Sequence, residues 1–345
     1  MLNGKTVLLT GGTGSFGKKF TETVLKDTEL NKIIIFSRDE FKQHQMAKKF
    51  VKYASRIRFF IGDVRDKERL QRAVEGVDYV IHAAALKQVP ALEYNPTEAV
   101  KTNIIGANNV VEASLDKGVK KVIVLSTDKA VNPINLYGAT KLVAEKIFID
   151  ANAYGGNKTK FSVVRYGNVV ASRGSVIEFF LNLKRENIKE FPITDERMTR
   201  FWMTLEQSVG LVIKALEESE GGEIFVPVIP SMKIVDLAKA IEPECRFKSI
   251  GIRPGEKIHE TLISVDESRK TRIFSGIYVI LPQFFERQEV HKKYERCESV
   301  PSEFVYRSDK NAKWLTVDEI EKMMPTPREA GYPYEDDTIC TTVSE

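Results

Sequence analysis

The sequence predicts an α/β protein: a doubly wound parallel sheet carrying a smaller, discontinuous α/β region. Two observations predict the sheet, and a third places its working edge. Strand-length apolar runs alternate with helical stretches through roughly the first half of the chain. Gly11, Gly14 and Gly17 connect the first such run to the first helix. The buried-looking run 122–125 passes directly into Ser126-Thr127-Asp128-Lys129, and the carboxyl end of a parallel strand is where open α/β sheets hold ligands.

Thr6–Thr10 reads as the first strand, and GGTGSFG leads from it into a helix bearing Phe20, Val24 and Leu25. In such a turn Gly11 permits the tight bend and Gly14 lets backbone N–H groups approach a pyrophosphate. Gly17 then lets helix pack on strand, with the helix N-terminus favouring the anion. The second strand, 33–36, ends at Ser37-Arg38, where an acidic residue would bind a ribose 2′-hydroxyl. Ser37, Arg38 and Lys42 suit a 2′-phosphate instead and predict NADP, while Asp39 keeps NAD open. Strand three, Ile57–Ile61, ends in Gly62-Asp63-Val64, with the Asp63 carboxylate set to accept from an adenine amino group. Strand four, 79–81, ends in His82-Ala83-Ala84-Ala85, small residues that leave room for a dinucleotide, with Lys87, Thr102 and Asn103 beyond.

After strand five, 122–125, a helix is expected from about Tyr137, which puts Tyr137 and Lys141 one turn apart on one face. A phenol beside a fixed ammonium can act as a base. Spacing alone is weak, since Tyr154 with Lys158 and Tyr306 with Lys310 share it without the upstream Thr-Asp-Lys. A sixth strand, 161–165, delivers Asn168 to the ligand edge. Beyond Ser172 the alternation weakens, and Arg200 and Arg253 are candidate anion contacts; Phe201 and Trp202 read as packing. Helical spacing over 205–216 and strand character over 223–228 predict a return to the first domain. The expected division is therefore 1–170 with 204–229, then 171–203 with 230–324, then a tail or arm at 325–345.

The 345 residues are 42% hydrophobic and 29% charged with net charge +4, ordinary for a globular protein and too weakly basic to imply nucleic acid. No signal peptide or membrane span is visible, so a cytoplasmic protein with a small-molecule partner is expected. Cys245, Cys297 and Cys340 and the four histidines are scattered, and no metal site is expected.

Together GGTGSFG, GDVRD, HAAALK, STDKAVNPINLYGATK, RYGNVVASRGS, MTRFW and RPGEK resemble the extended short-chain dehydrogenase/reductase family. More narrowly they resemble its inverting UDP-N-acetylglucosamine 4,6-dehydratases, which open pseudaminic acid synthesis. The likeness runs from about residue 5 to about 265 and more loosely to about 324. It implies a Rossmann domain binding NADP, a smaller sugar-nucleotide domain, a UDP-sugar substrate and a homo-oligomer. It places Thr13, Gly14, Ser15, Phe16, Ser37 to Lys42, Asp63, Val64, Lys87, Tyr137 and Lys141 around the cofactor, and Ala83 is added as a small residue of the strand-end run. It places Lys87, Asn168, Arg200, Arg253 and Glu256 near the sugar nucleotide. Retaining dehydratases carry Thr-Asp-Glu where this chain has Thr127-Asp128-Lys129, and related capsule enzymes replace the tyrosine by methionine. Another 4,6-dehydratase or a 4-epimerase is the alternative.

The chemistry expected of these residues follows from the substrate. Tyr137 takes the 4-hydroxyl proton if Lys141 lowers its phenol from about 10, with Thr127 on the same oxygen. The C4 ketone acidifies C5–H, which Lys129 removes as Asp128 protonates the departing 6-hydroxyl; hydride returns to C6. Lys129 must be neutral for this, which burial and Lys141 favour and Asp128 opposes, and the pair is expected to share one proton.

Overall fold

The six strand runs lie side by side; the five inner ones are mostly apolar on both faces and are satisfied inside a covered parallel sheet, while the edge run Ile57–Ile61 exposes Arg58 and Ile61. They are β1 (Thr6–Thr10), β2 (Lys32–Ser37), β3 (Ile57–Ile61), β4 (Tyr79–His82), β5 (Lys121–Thr127) and β6 (Lys160–Tyr166). The computed structural model describes residues 1–156, 158–170, 175–283 and 288–324; the expected tail or arm at 325–345, with Cys340, lies outside them. The strand order is β3-β2-β1-β4-β5-β6, all parallel, and Ile224–Pro227 continues it beside β6. The order reverses between β1 and β4, which opens a crevice above their carboxyl ends.

Helices cover both faces. Phe20 and Val24 of Ser15–Asp27 pack with Leu211 and Leu216 of Leu205–Glu218 on one side. Val110 of Gly106–Asp116 and Phe148 of Leu136–Tyr154 pack on the other. A separate apolar cluster joins Phe180, Phe191, Trp202, Met232, Leu237 and Ile320, and Phe201 packs in the sheet cluster with Val110 and Phe148, so both Phe201 and Trp202 are core residues.

One segment departs from expectation. Residues Thr271–Phe274 and Ile277–Ile280 form an antiparallel hairpin that ends the nine-stranded sheet, although 230–324 was assigned to the smaller region. The cause is local: Ser275 and Gly276 both take positive φ, 48° and 78°, the two-residue turn that matches strand twist. Ser-Gly between TRIF and IYVI carried that signal.

Candidate active site

The glycine turn is shaped by close backbone approach. Gly11 has φ 66°, and a methyl group there would lie 2.9 Å from the Ala84 backbone; one on Gly17 would lie 2.3 Å from the Gly12 carbonyl. The helix it opens, Ser15–Asp27, has no side chain capping its N-terminus, so its first N–H groups remain available to an anion. That cradle fits a dinucleotide pyrophosphate. At the end of β2, Ser37 is buried and its hydroxyl accepts from Gln43 Nε2 at 2.9 Å. Asp39 caps the helix Glu40–Lys49, accepting from the Lys42 backbone at 2.9 Å and lying 2.6 Å from its ammonium. Those Lys42 contacts hold the Asp39 carboxyl below its usual range. Arg38 is exposed, 3.6 Å from Asp63. Asp63 is itself held below the usual carboxylate range: partial burial pushes it up, but Arg65 outweighs that.

The helix that carries Tyr137 and Lys141 is placed by its first residues. Asn135 caps Leu136–Tyr154 by accepting from Gly138 N at 2.8 Å, and its Nδ2 donates to the Gly255 carbonyl at 2.7 Å. Gly138 must be glycine, because a Cβ would sit 2.1 Å from the Lys129 carbonyl. Asn103 braces the other side, bonding both backbone groups of Leu86 and donating to Thr140 Oγ1 at 3.0 Å.

β5 runs on to Thr127, and Asp128–Ala130 form a single 3-10 turn. Thr127 Oγ1 and Lys129 Nζ both donate to Asp128 Oδ1, at 2.9 and 3.0 Å. Asp128 is fully buried and its second oxygen has no partner among the described residues. Burial and the nearby Glu260 raise its carboxyl, against the pull of Lys129 and Thr127. Burial alone would lower the Lys129 ammonium, but Asp128 and Glu260 overcome it and hold the proton on. Expectation had burial and Lys141 favouring a neutral Lys129 and Asp128 opposing it; Asp128, and after it Glu260 with its carboxylate 3.3 Å from Nζ, outweigh burial. Tyr137 also differs: burial raises its phenol, and the charge opposing this is Lys129, with Thr127 hydrogen-bonded to it. Lys141 is buried, and desolvation, partly offset by Glu145, brings it down to about 8.

On the far side, Arg200 does not present a free guanidinium. Its Nη1 donates to the carbonyls of Thr199 and Ile258 at 2.8 and 3.0 Å, and its Nη2 to that of Lys257 at 3.0 Å. Glu256 and Glu260 lie 3.6 and 3.9 Å from it. Arg200 therefore ties down the segment 256–260. Arg253 is exposed and has no side-chain partner among the described residues. Asn168 Oδ1 is buried with no hydrogen-bond partner among the described residues, and burial together with Lys129 lowers the Lys87 ammonium. Lys257 reaches across to the Val131 carbonyl at 2.6 Å.

Every residue named for a catalytic, cofactor or sugar-nucleotide role from the sequence lines one cleft of about 1020 Å³ except Asp128, which lies behind it, holding Lys129; Asn103 and His82 are buried off the cleft. Sequence reading missed Glu260 and Lys257. Glu260 lies in extended chain far from Lys129 in sequence, and no local spacing links them. By contrast Tyr306, of the control pair, bonds both backbone groups of Ile229 inside the core.

A family model described as a polysaccharide biosynthesis protein matches residues 7–282. The UDP-N-acetylglucosamine 4,6-dehydratase (inverting) of Campylobacter jejuni subsp. jejuni serotype O:2 is 54% identical over 326 residues, covering 93% of this chain and 97% of that protein. A UDP-glucose 4-epimerase of Rickettsia akari is 42% identical, covering 93% and 96%. Among solved structures, Pen from Bacillus thuringiensis superposes with a TM-score of 0.84 at 38% identity over 93% of this chain and 97% of Pen. DesIV, a dTDP-glucose 4,6-dehydratase of Streptomyces venezuelae with NAD and TYD bound, gives 0.68 at 17% identity over 94% and 97%, a likeness of fold.

Proposed function

The chain belongs to the polysaccharide biosynthesis protein family, and we infer from this and from its 54% identical relative that it is an inverting UDP-N-acetylglucosamine 4,6-dehydratase. Its product is UDP-2-acetamido-2,6-dideoxy-β-L-arabino-hex-4-ulose, the entry to pseudaminic acid-type sugars. The observation that carries this reading is Thr127, Lys129 and Tyr137 on one cleft with Asp128 behind them. An oxidation-only enzyme needs Tyr137 and Lys141, whereas loss of water also needs an acid and a base near C5 and C6.

The cofactor is a nicotinamide dinucleotide, bound at the glycine turn, and we assign it as NADP because Arg38 stands exposed beside the expected 2′ position. When bound it takes hydride from C4 and returns it at C6. Tyr137, as the phenolate, receives the 4-hydroxyl proton, with Thr127 holding the same sugar oxygen. Burial raises the phenol, so its ionised form draws on the field of Lys129. Lys129 takes the C5 proton and Asp128 supplies one to the departing 6-oxygen. Arg253, Asn168 and Lys87 face the sugar nucleotide; Arg200 acts by holding 256–260. We assign 171–203 with 230–324, apart from the hairpin 271–280, to the sugar-nucleotide side, on the strength of an apolar cluster of its own that reaches Ile320. No helix of the described residues is long and apolar enough to cross a membrane; we place the reaction in the cytoplasm, with the enzyme a homo-oligomer.

Purified protein incubated with UDP-N-acetylglucosamine in deuterated water, without added cofactor, tests this. A 4-keto-6-deoxy product carrying deuterium at C5, inverted C5 coupling constants and the original C4 hydrogen at C6 is expected. The 42% identical epimerase supports a second reading: a 4-epimerised sugar that keeps its 6-hydroxyl would replace the dehydratase reading with it.

A further inference from the structure

Four charged groups alternate in sign from the cleft wall to the buried residue behind it: Arg200, Glu260, Lys129 and Asp128. Glu260 Oε1 lies 3.9 Å from Arg200 Nε and 3.3 Å from Lys129 Nζ, and Lys129 Nζ donates to Asp128 Oδ1 at 3.0 Å. Glu260 is 2% exposed and lines the cleft, and its second oxygen has no hydrogen-bond partner among the described residues. A buried carboxylate left half satisfied is costly unless its charge is used. Its backbone is fixed, with the N–H donating to Ser308 Oγ at 3.0 Å and the carbonyl accepting from Ser308 N at 2.9 Å. That pairing fixes the backbone from which the carboxylate reaches Lys129.

We propose that Glu260 is a positioning residue for the elimination step: anchored by Arg200, it holds the Lys129 amine in place and keeps one proton on the Asp128–Lys129 pair. This rests on the reading of the chain as a 4,6-dehydratase. Elimination needs Lys129 as the amine and Asp128 as the acid. Lys129 removes the C5 proton, the C5–H electrons form the C5–C6 double bond, and the 6-oxygen leaves as water with the Asp128 proton. The pair ends as ammonium and carboxylate, the arrangement seen in the structure, and one proton passing from Lys129 to Asp128 along their hydrogen bond resets it. A pair that has lost this proton to solvent has no acid to give. Glu260 raises the proton affinity of both partners, while Arg200 and Lys257 temper it from the other side. Lys87 and Tyr137 also face Lys129.

The test is the pH profile of 4-keto product formation, with C4 oxidation followed separately as reduced-nicotinamide absorbance. In Glu260→Gln the alkaline limb of elimination should move down by about 1 to 3 pH units, and Glu260→Asp, whose carboxylate is drawn back by one methylene, should give an intermediate limb. A rate lowered equally at every pH with the limb unmoved would reduce Glu260 to a structural residue and overturn the proposal. If Glu260→Gln does not fold, the Asp variant decides: an intermediate limb supports the role, a wild-type limb refutes it. Wild-type protein giving neither 4-keto product nor reduced nicotinamide would refute the dehydratase reading itself, an outcome distinct from an active enzyme whose limb does not move.

Discussion

Tyr137 and Lys129 divide the proposed reaction, and their substitutions should separate it. Tyr137→Phe removes only the hydroxyl that takes the C4 proton, so oxidation should fall by about 10²-fold or more with cofactor still bound. Near-normal turnover would remove Tyr137 from the scheme. Lys129→Ala keeps Tyr137 and Lys141; it should form reduced nicotinamide yet release no 4-keto-6-deoxy product, and full product formation would dismiss Lys129 as the base. His82 supplies a test of stability rather than rate. Its Nδ1 lies 2.8 Å from Thr10 Oγ1 in a fully buried setting, and burial, then Lys141, pushes the imidazole down to about 3. The unfolded chain binds that proton near pH 6.5, so the group costs nothing above pH 6.5 and destabilises progressively as pH falls from there toward 3. Between pH 7 and pH 5 this one residue should lower the unfolding free energy by about 2 kcal/mol. Denaturant titrations at the two pH values should show that loss shrinking in His82→Gln; an unchanged acid slope would contradict it.

Among the elements, the helix Leu136–Tyr154 does most to set the site, because its first turn touches both sides of the cleft. Asn135 caps the helix and grips the Gly255 carbonyl, and Gly138 packs against the Lys129 carbonyl. Asn135→Ala should cost about 1 kcal/mol in unfolding free energy from the cap and, by freeing the 252–257 loop, raise KM for the sugar nucleotide more than it lowers kcat. An unaltered KM would mean that the loop does not depend on this contact. This helix was legible from the sequence through Tyr137, Lys141 and the preceding strand. The hairpin 271–280 is marked in the sequence only by its Ser275-Gly276 turn, and the expected boundary near Pro230 put it in the smaller region.

Across the whole molecule, the cofactor cradle is assembled from the ends of β1, β2, β3 and β4, so its selectivity is a property of the sheet and not of one motif. If Arg38 reads a 2′-phosphate, denaturing the purified protein should release chiefly NADP; chiefly NAD would reassign that corner to Asp39. The sequence by itself determined the parallel sheet, the glycine turn and the Thr127, Asp128, Lys129, Tyr137 and Lys141 set, because these rest on period, turn chemistry and spacing that act over a few residues. Tertiary structure alone decided the electrostatics. It brought Glu260 within 3.3 Å of Lys129, a second carboxylate that joins Asp128 in holding a proton on the amine. It also bound Arg200 to three backbone carbonyls, leaving Arg253 as the exposed guanidinium. Charges act through space across whatever the fold places side by side, and nothing in the local pattern of RPGEKIHE records what lies opposite it.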